Sequence, residues 1–460
     1  MVFSSLTFLY AYLPVVLIVY FLCPWKYRNL VLFLVSLFFY GWGEPVYVLV
    51  MLASILMNWL MGKIIARREG TAAKRALILC IIFNLCLLGF FKYADFLINN
   101  LRALGLRSLH PLNISLPIGI SFYTFQTMSY PIDLYRRQTT EQKSFISFGA
   151  YVVMFPQLIA GPIVRYVEVV EELGHRTISL DDVHDGLLRF CQGLAKKVLL
   201  ANACGAVFEE ISALPDPDMS VLTAWLGILF YAFQIYYDFS GYSDMAIGIG
   251  RILGFHFPEN FNHPYTADSI TDFWRRWHMT LSYWFRDYVY IPLGGNRKGL
   301  PRQILNILIV WFLTGMWHGA AWNFIIWGLL YGIVLILEKV FLLRYLQRSP
   351  KILRHGYTMI IVLIAWVFFA FTDLGKALHY LSLMFTSPHL YSGLTLYYLR
   401  DNLTVLVFAA LASTTLLQNC GRRLQKAAPW TVPVLCVLCL LICTAFIVDA
   451  SYNPFLYFRF

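Results

Sequence analysis

The stretch Leu313–Asn323 of this 460-residue chain places His318 inside an apolar run, between Trp317 and Trp322 and between Gly315 and Gly319. An ionisable side chain in a membrane-length segment is costly unless it meets a partner or a polar cavity, so it marks a functional site by default. A neutral imidazole there has two chemical uses. It can take the proton from an attacking hydroxyl, or it can carry an acyl group as a nucleophile. On a helix, Thr314 lies one turn before His318 and could orient its ring. Trp317 and Trp322 could wall an acyl pocket, and Asn323 adds an amide beside them. Gly315 and Gly319, four residues apart, allow a second helix to approach closely.

A second histidine, His278, lies in Ser269–Phe285. Ser269-Ile270-Thr271-Asp272 has capping-box spacing, with Asp in place of Glu or Gln, and predicts a helix start. From there Trp274, His278, Leu281 and Phe285 recur at helical spacing on one apolar face, with Arg275 and Arg276 off its centre. This amphipathic helix is too charged to span and fits the cytoplasmic interface. Read alone, His278 fits a hydrogen-bonded core histidine as well as a site residue. The turn that follows, Gly294–Gly299, offers backbone amides and the cations Arg297 and Lys298. It could hold a donor's phosphates, or be a basic juxtamembrane turn. Tyr231–Gly250 carries Gln234, Asp238, Ser240, Ser243 and Asp244 in an apolar background, which suggests a wet interior. His256 and His263 sit in a Pro- and Asn-rich linker.

The elements that position these residues are membrane helices. The chain is 59% hydrophobic and 13% charged, against about 25% charged for soluble domains. Apolar runs recur from Leu6–Leu22 to Val432–Val448. Several fall short of a full span, and about ten to twelve crossings are expected. The fold class is an all-α polytopic membrane protein, with residues 1–460 as a single integral-membrane domain. Met1–Ser5 carry no cation, so the first helix reads as a retained anchor rather than a cleaved signal. The net charge of +11 lies in short loops and reports topology rather than nucleic-acid binding. Lys63–Arg75, Lys339–Arg354 and Arg422–Lys426 are expected inside. Gly41–Pro45, Asp373–Asp401 and both termini are expected outside. The nine cysteines show neither zinc spacing nor a disulfide framework.

Phe39–Gly43, Pro117–Phe122, Pro156–Pro162, Asp238–Asp244, Asp272–His278, Trp317–Gly319 and Asn453–Phe460, taken together and in this order, resemble the membrane-bound O-acyltransferase family, in its bacterial polysaccharide branch. The resemblance implies helices ringed around a thin centre, with funnels from both faces meeting at the catalytic histidine. It places His318 at that position and His278 at a second polar site position. Trp274, Arg275, Arg276, Trp317, Asn323, Asp238, Arg297 and Lys298 are candidate substrate-binding residues. It implies acyl transfer to a hydroxyl with no metal and no resident cofactor. The expected donor is acetyl-CoA from the cytosol. The expected acceptor route runs through an extracytoplasmic esterase-like partner, in the inner membrane, among membrane lipids and without nucleic acid. The alternatives are D-alanyl transfer from a carrier protein to teichoic acid, and a lipid-linked sugar transporter. The latter would leave His318 without a chemical role.

Overall fold

A computed structural model describes residues 2–449 of the chain; the Asn453–Phe460 segment lies outside them. Among the described residues the regular structure is helical throughout, without a strand. Six described helices are long and apolar enough to cross a membrane, or seven if the bent pair Gly393–Asp401 and Leu403–Ala412 is one span. The other apolar runs form shorter or broken helices. The protein is an all-α polytopic membrane protein.

The chain divides into two compact units, Met1–Phe190 with Tyr242–Pro258, and Cys191–Gly241 with Glu259–Phe460. In the first, α1 (Arg28–Gly43) packs on Phe145–Val153, while α2 (Tyr47–Arg67), α3 (Gly70–Leu88) and α4 (Ile120–Tyr135) pack on one another. Helix α4 is buried over nearly its whole length. It starts after Gly119, whose φ of 74° and approach to the Leu158 carbonyl both exclude a side chain. Leu158 belongs to the Pro156–Pro162 segment, which breaks its helix as its prolines and glycine suggest.

Helix α5 (Val221–Ile252) carries the Asp238–Asp244 motif. Its two carboxylates are each paired with a cation. Asp238 pairs with Lys197 at 2.7 Å within the second unit, and Asp244 with Arg189 at 2.7 Å within the first. Desolvated carboxylates persist when paired in this way.

The continuous helix expected from Ser269 is interrupted. It consists of α6 (Ile270–Trp274) and α7 (Met279–Phe285), separated by a turn in which His278 is left-handed at φ 43°. The cause is a competing backbone. The Arg276 carbonyl accepts from Asn262 N–H at 2.9 Å, and Met279 N–H donates to the Asn260 carbonyl at 2.9 Å. Those bonds replace the helical ones that Arg276 and Met279 would otherwise make. The start is as expected, since Ser269 Oγ accepts from Asp272 N–H at 3.0 Å. The N–H groups of Ile270 and Thr271 are held by the buried Glu338 carboxylate at 2.7 and 2.8 Å.

The site is carried by α8 (Leu300–His318), α9 (Trp322–Leu337) and α10 (Lys351–Ala370), in which α9 packs on both neighbours.

Candidate active site

His318 is the last residue of α8 and is 3% exposed. The turn to α9 is tight because both helices are small where they meet. A β-carbon on Gly315 would strike the Phe324 carbonyl, and one on Gly328 would strike the Trp311 carbonyl. Gly319 likewise leaves room only for the Phe324 ring. The imidazole therefore sits inside an aromatic box. Trp317 lies 5.0 Å from it at 80°, Trp327 at 5.0 Å and 84°, and Phe369 at 5.2 Å and 78°. Edge-to-face contacts of this kind fix a ring's plane.

His278 also meets Trp317, 5.8 Å from that ring, and lies 4.7 Å from Phe239. Its Nδ1 is 3.0 Å from Asn260 Oδ1. The same oxygen accepts from the Thr280 N–H and hydroxyl, so it is an acceptor. Nδ1 of His278 therefore carries the hydrogen, and Nε2 bears the lone pair. Burial pushes the imidazole down to about 3, so the ring is neutral at ordinary pH.

Trp274 joins this assembly from α6, 4.9 Å from Tyr331 and 5.6 Å from Trp327. Asn323 is fully buried and donates to the Phe368 carbonyl at 2.9 Å, holding the Phe369 wall against His318. Arg275 is exposed, whereas Arg276 pairs with Asp272 at 3.0 Å. Asp238 is committed to Lys197. Arg297 and Lys298 are exposed at the opposite end of α8 from His318. That helix is 19 residues long, or about 28 Å, so they cannot touch reacting atoms.

Trp322 is 53% exposed, and Trp327 also packs on the His318 ring. Thr314 donates its hydroxyl to the Val310 carbonyl of its own helix at 2.8 Å rather than to the histidine. Asn260, Trp327, Tyr331 and Phe369 were not singled out as site residues from sequence. Asn260 stood in a turn-rich linker, and the other three are ordinary aromatic positions of apolar helices. The linker histidines have their own partners: His256 meets Glu172 at 2.7 Å, and His263 meets the Ser413 carbonyl at 3.2 Å.

The membrane-bound O-acyltransferase family matches residues 135–383, which include both histidines. The "Probable alginate O-acetylase AlgI" of Azotobacter vinelandii is 43% identical over 84% of this chain and 78% of its own length. The "Peptidoglycan O-acetyltransferase" of Helicobacter pylori is 38% identical over 82% of this chain and 78% of its own length. The "Teichoic acid D-alanyltransferase" of Bacillus subtilis is 29% identical over 50% of this chain and 61% of its own length.

Proposed function

The chain belongs to the membrane-bound O-acyltransferase family, and from that premise we propose that it takes acetyl from cytosolic acetyl-CoA and delivers it to the extracytoplasmic face for polysaccharide O-acetylation. The protein is a membrane O-acetyltransferase. The observation that carries the finer reading is the buried imidazole of His318, held by three aromatic rings at the α8–α9 junction.

In this reading His318 removes the proton from the acceptor hydroxyl. The oxygen attacks the thioester carbonyl, the new C–O bond forms, and the C–S bond breaks. The departing thiolate takes the proton from the imidazolium, which restores the neutral ring. Water is kept out by the aromatic box. His278 Nε2, beside Trp317, positions the donor or the acceptor. The acceptor hydroxyl is that of an extracytoplasmic esterase-like partner, which passes the acetyl group to the glycan. The charge of the loops supports an inner-membrane protein with the basic turns inside and both termini outside.

The test is reconstitution of the purified protein with radiolabelled acetyl-CoA. Release or transfer of label is expected; inertness toward acetyl-CoA together with turnover of a D-alanyl carrier protein would replace the reading. Single-cysteine variants at Ser387 should label from outside in intact cells, and those at Arg67 and Asn419 only after lysis. The reverse pattern would overturn the orientation.

A further inference from the structure

We propose that the first unit holds a second acyl-transfer site, in which Ser121 is the nucleophile and Lys92 its base, and that this site cleaves short-chain O-acyl esters at the extracytoplasmic face. The chemistry is independent of the acetyl-CoA reading; only the choice of face rests on the orientation proposed above.

Lys92 Nζ donates to Ser121 Oγ at 3.1 Å. Both residues are nearly buried, Lys92 at 9% and Ser121 at 8% exposure. A lysine beside a serine hydroxyl is one of the recurring nucleophile–base pairs. With the amine neutral the same bond runs the other way, the hydroxyl donating to Nζ. The backbone at both residues suits this role. Lys92 lies in Gly89–Tyr93, a π-helical turn that prolongs α3, and such turns are frequent at functional sites. Ser121 is the second residue of α4, a helix of 16 residues. Negative charge developing on Oγ there meets the positive field of the helix N-terminus.

Two further groups fit a bound ester. The hydroxyls of Tyr40, 3% exposed, and Tyr123, fully buried, have no hydrogen-bond partner among the described residues. Tyr123 lies two residues beyond Ser121, and Tyr40 of α1 interacts with it electrostatically. Buried donors left in this state call for an explanation. An ester supplies oxygens that accept from them. Tyr40 and Ser121 belong to Phe39–Gly43 and Pro117–Phe122, two motifs that the His318 chemistry does not use.

The pair sits far from the basic loop before it. Lys92 follows Gly70 by 22 residues within a helical run of 34. At 1.5 Å a residue this is about 33 Å, roughly the thickness of the hydrocarbon core. With Lys63–Arg75 expected inside, Lys92 and Ser121 lie at the outer face, as does Gly41–Pro45.

The step balances with water as the second reactant. Lys92 takes the Ser121 proton as Oγ bonds to the acyl carbon. The ester C–O bond breaks, and the leaving alcohol takes the proton from the ammonium. Water, deprotonated by Lys92, then attacks the acyl-serine; the bond to Oγ breaks, and Oγ regains the proton.

The test uses the full-length His318→Ala protein in phosphatidylcholine nanodiscs, which silences the first site. Hydrolysis of 4-nitrophenyl acetate is measured, and a fluorophosphonate label is mapped by peptide mass spectrometry. Ser121 is expected to carry the label. Adding Ser121→Ala should lower hydrolysis about 10²-fold or more, and adding Lys92→Met should slow hydrolysis and labelling to a similar degree. Lys92→Arg keeps the cation and the hydrogen-bond donor but cannot accept a proton, so it should fail likewise, whereas it would rescue a merely structural lysine. Both rates should fall as pH falls, with one proton, because only the neutral amine is a base. Melting temperatures check folding, and the arginine variant carries the test if Lys92→Met does not fold. Absence of label on Ser121, or hydrolysis unchanged by Ser121→Ala, would overturn the proposal. Labelling at the parental rate in Lys92→Arg would make Lys92 structural and overturn the pair. The acetyl-CoA reading is decided separately, by the acetyl-CoA assay on the wild-type protein.

Discussion

Two buried polar regions, one in each unit, differ in how their hydrogen bonds close. In the first unit Asn58 and Asn84 exchange amide bonds of 3.1 and 2.9 Å between α2 and α3. Their remaining amide hydrogens go to the Ser54 and Cys80 carbonyls, each at 2.8 Å. Thr127 of α4 adds a bond of 3.3 Å to Asn84. All the side-chain amide hydrogens of Asn58 and Asn84 have acceptors inside the bundle. In the second unit Trp274 Nε1, Trp327 Nε1, the Tyr331 hydroxyl and Asn323 Oδ1 have no partner among the described residues, although the burial is comparable. Polar burial alone therefore does not mark a site. A closed network holds helices together, whereas an open one near an imidazole fits a ligand that completes it.

The comparison breaks first at His318. His318→Ala should lower acetyl transfer by about 10²–10⁴-fold, the usual cost of losing a general base. Melting should change little, because alanine fits a helix end and the box is lined by rings that also contact one another. Near-normal turnover in a radiolabelled acetyl-CoA assay would remove His318 from the chemistry and make the second region structural like the first.

His278 separates positioning from chemistry. Its bond to Asn260 fixes the tautomer, and it shares the Trp317 ring as a neighbour with His318. His278→Ala should raise the donor concentration needed for half-maximal rate by roughly tenfold, a single lost contact in free-energy terms, and retain a measurable rate at saturation. Steady-state kinetics decides it. Complete loss at saturating donor, with donor binding intact, would show that the two histidines work as one unit.

The same histidine sets a pH signature that the asparagine pair cannot have. Its folded-state value is depressed to about 3 by burial, below an unfolded value of about 6.5. Between those values the unfolded chain binds more protons, so stability falls as pH falls. At pH 5.5 the expected loss is about 1.3 kcal/mol relative to neutral pH. Stability measured against pH should show this slope in the wild type and lose it in His278→Gln. An unchanged slope in that variant would mean that His278 is solvated in the folded state.

The helical membrane class and the motif residues were legible because apolar length and an imidazole in an apolar run are local signals. What was not legible was long-range. His278 was expected on a continuous helix, and nothing in Trp274–Phe285 announces that Asn260 and Asn262 compete for its backbone. The pairing of Asp238 was out of reach because Lys197, its partner, lies 41 positions earlier in the sequence. Trp327, which packs on His318, sits in an apolar helix with nothing local to mark it. Chemistry-bearing residue types were visible, while their partners, which decide between structure and site, were set by packing.

The smallest expected effect tests the closed region. Asn84→Ala removes both bonds to Asn58 and the acceptor of Thr127. In water such a loss would be severe, but in a membrane an interhelical hydrogen bond averages about 0.6 kcal/mol, with about 1.7 at most, because the dissociated helices also find partners. The unit should therefore lose about 1 kcal/mol of stability, read as a modest fall in melting temperature. Turnover per folded molecule should stay at the wild-type value, since the pair belongs to the first unit and His318 to the second. A large fall in turnover with unchanged melting would mean that the asparagine pair takes part in the reaction, and the distinction between closed and open networks would not separate scaffold from site in this protein.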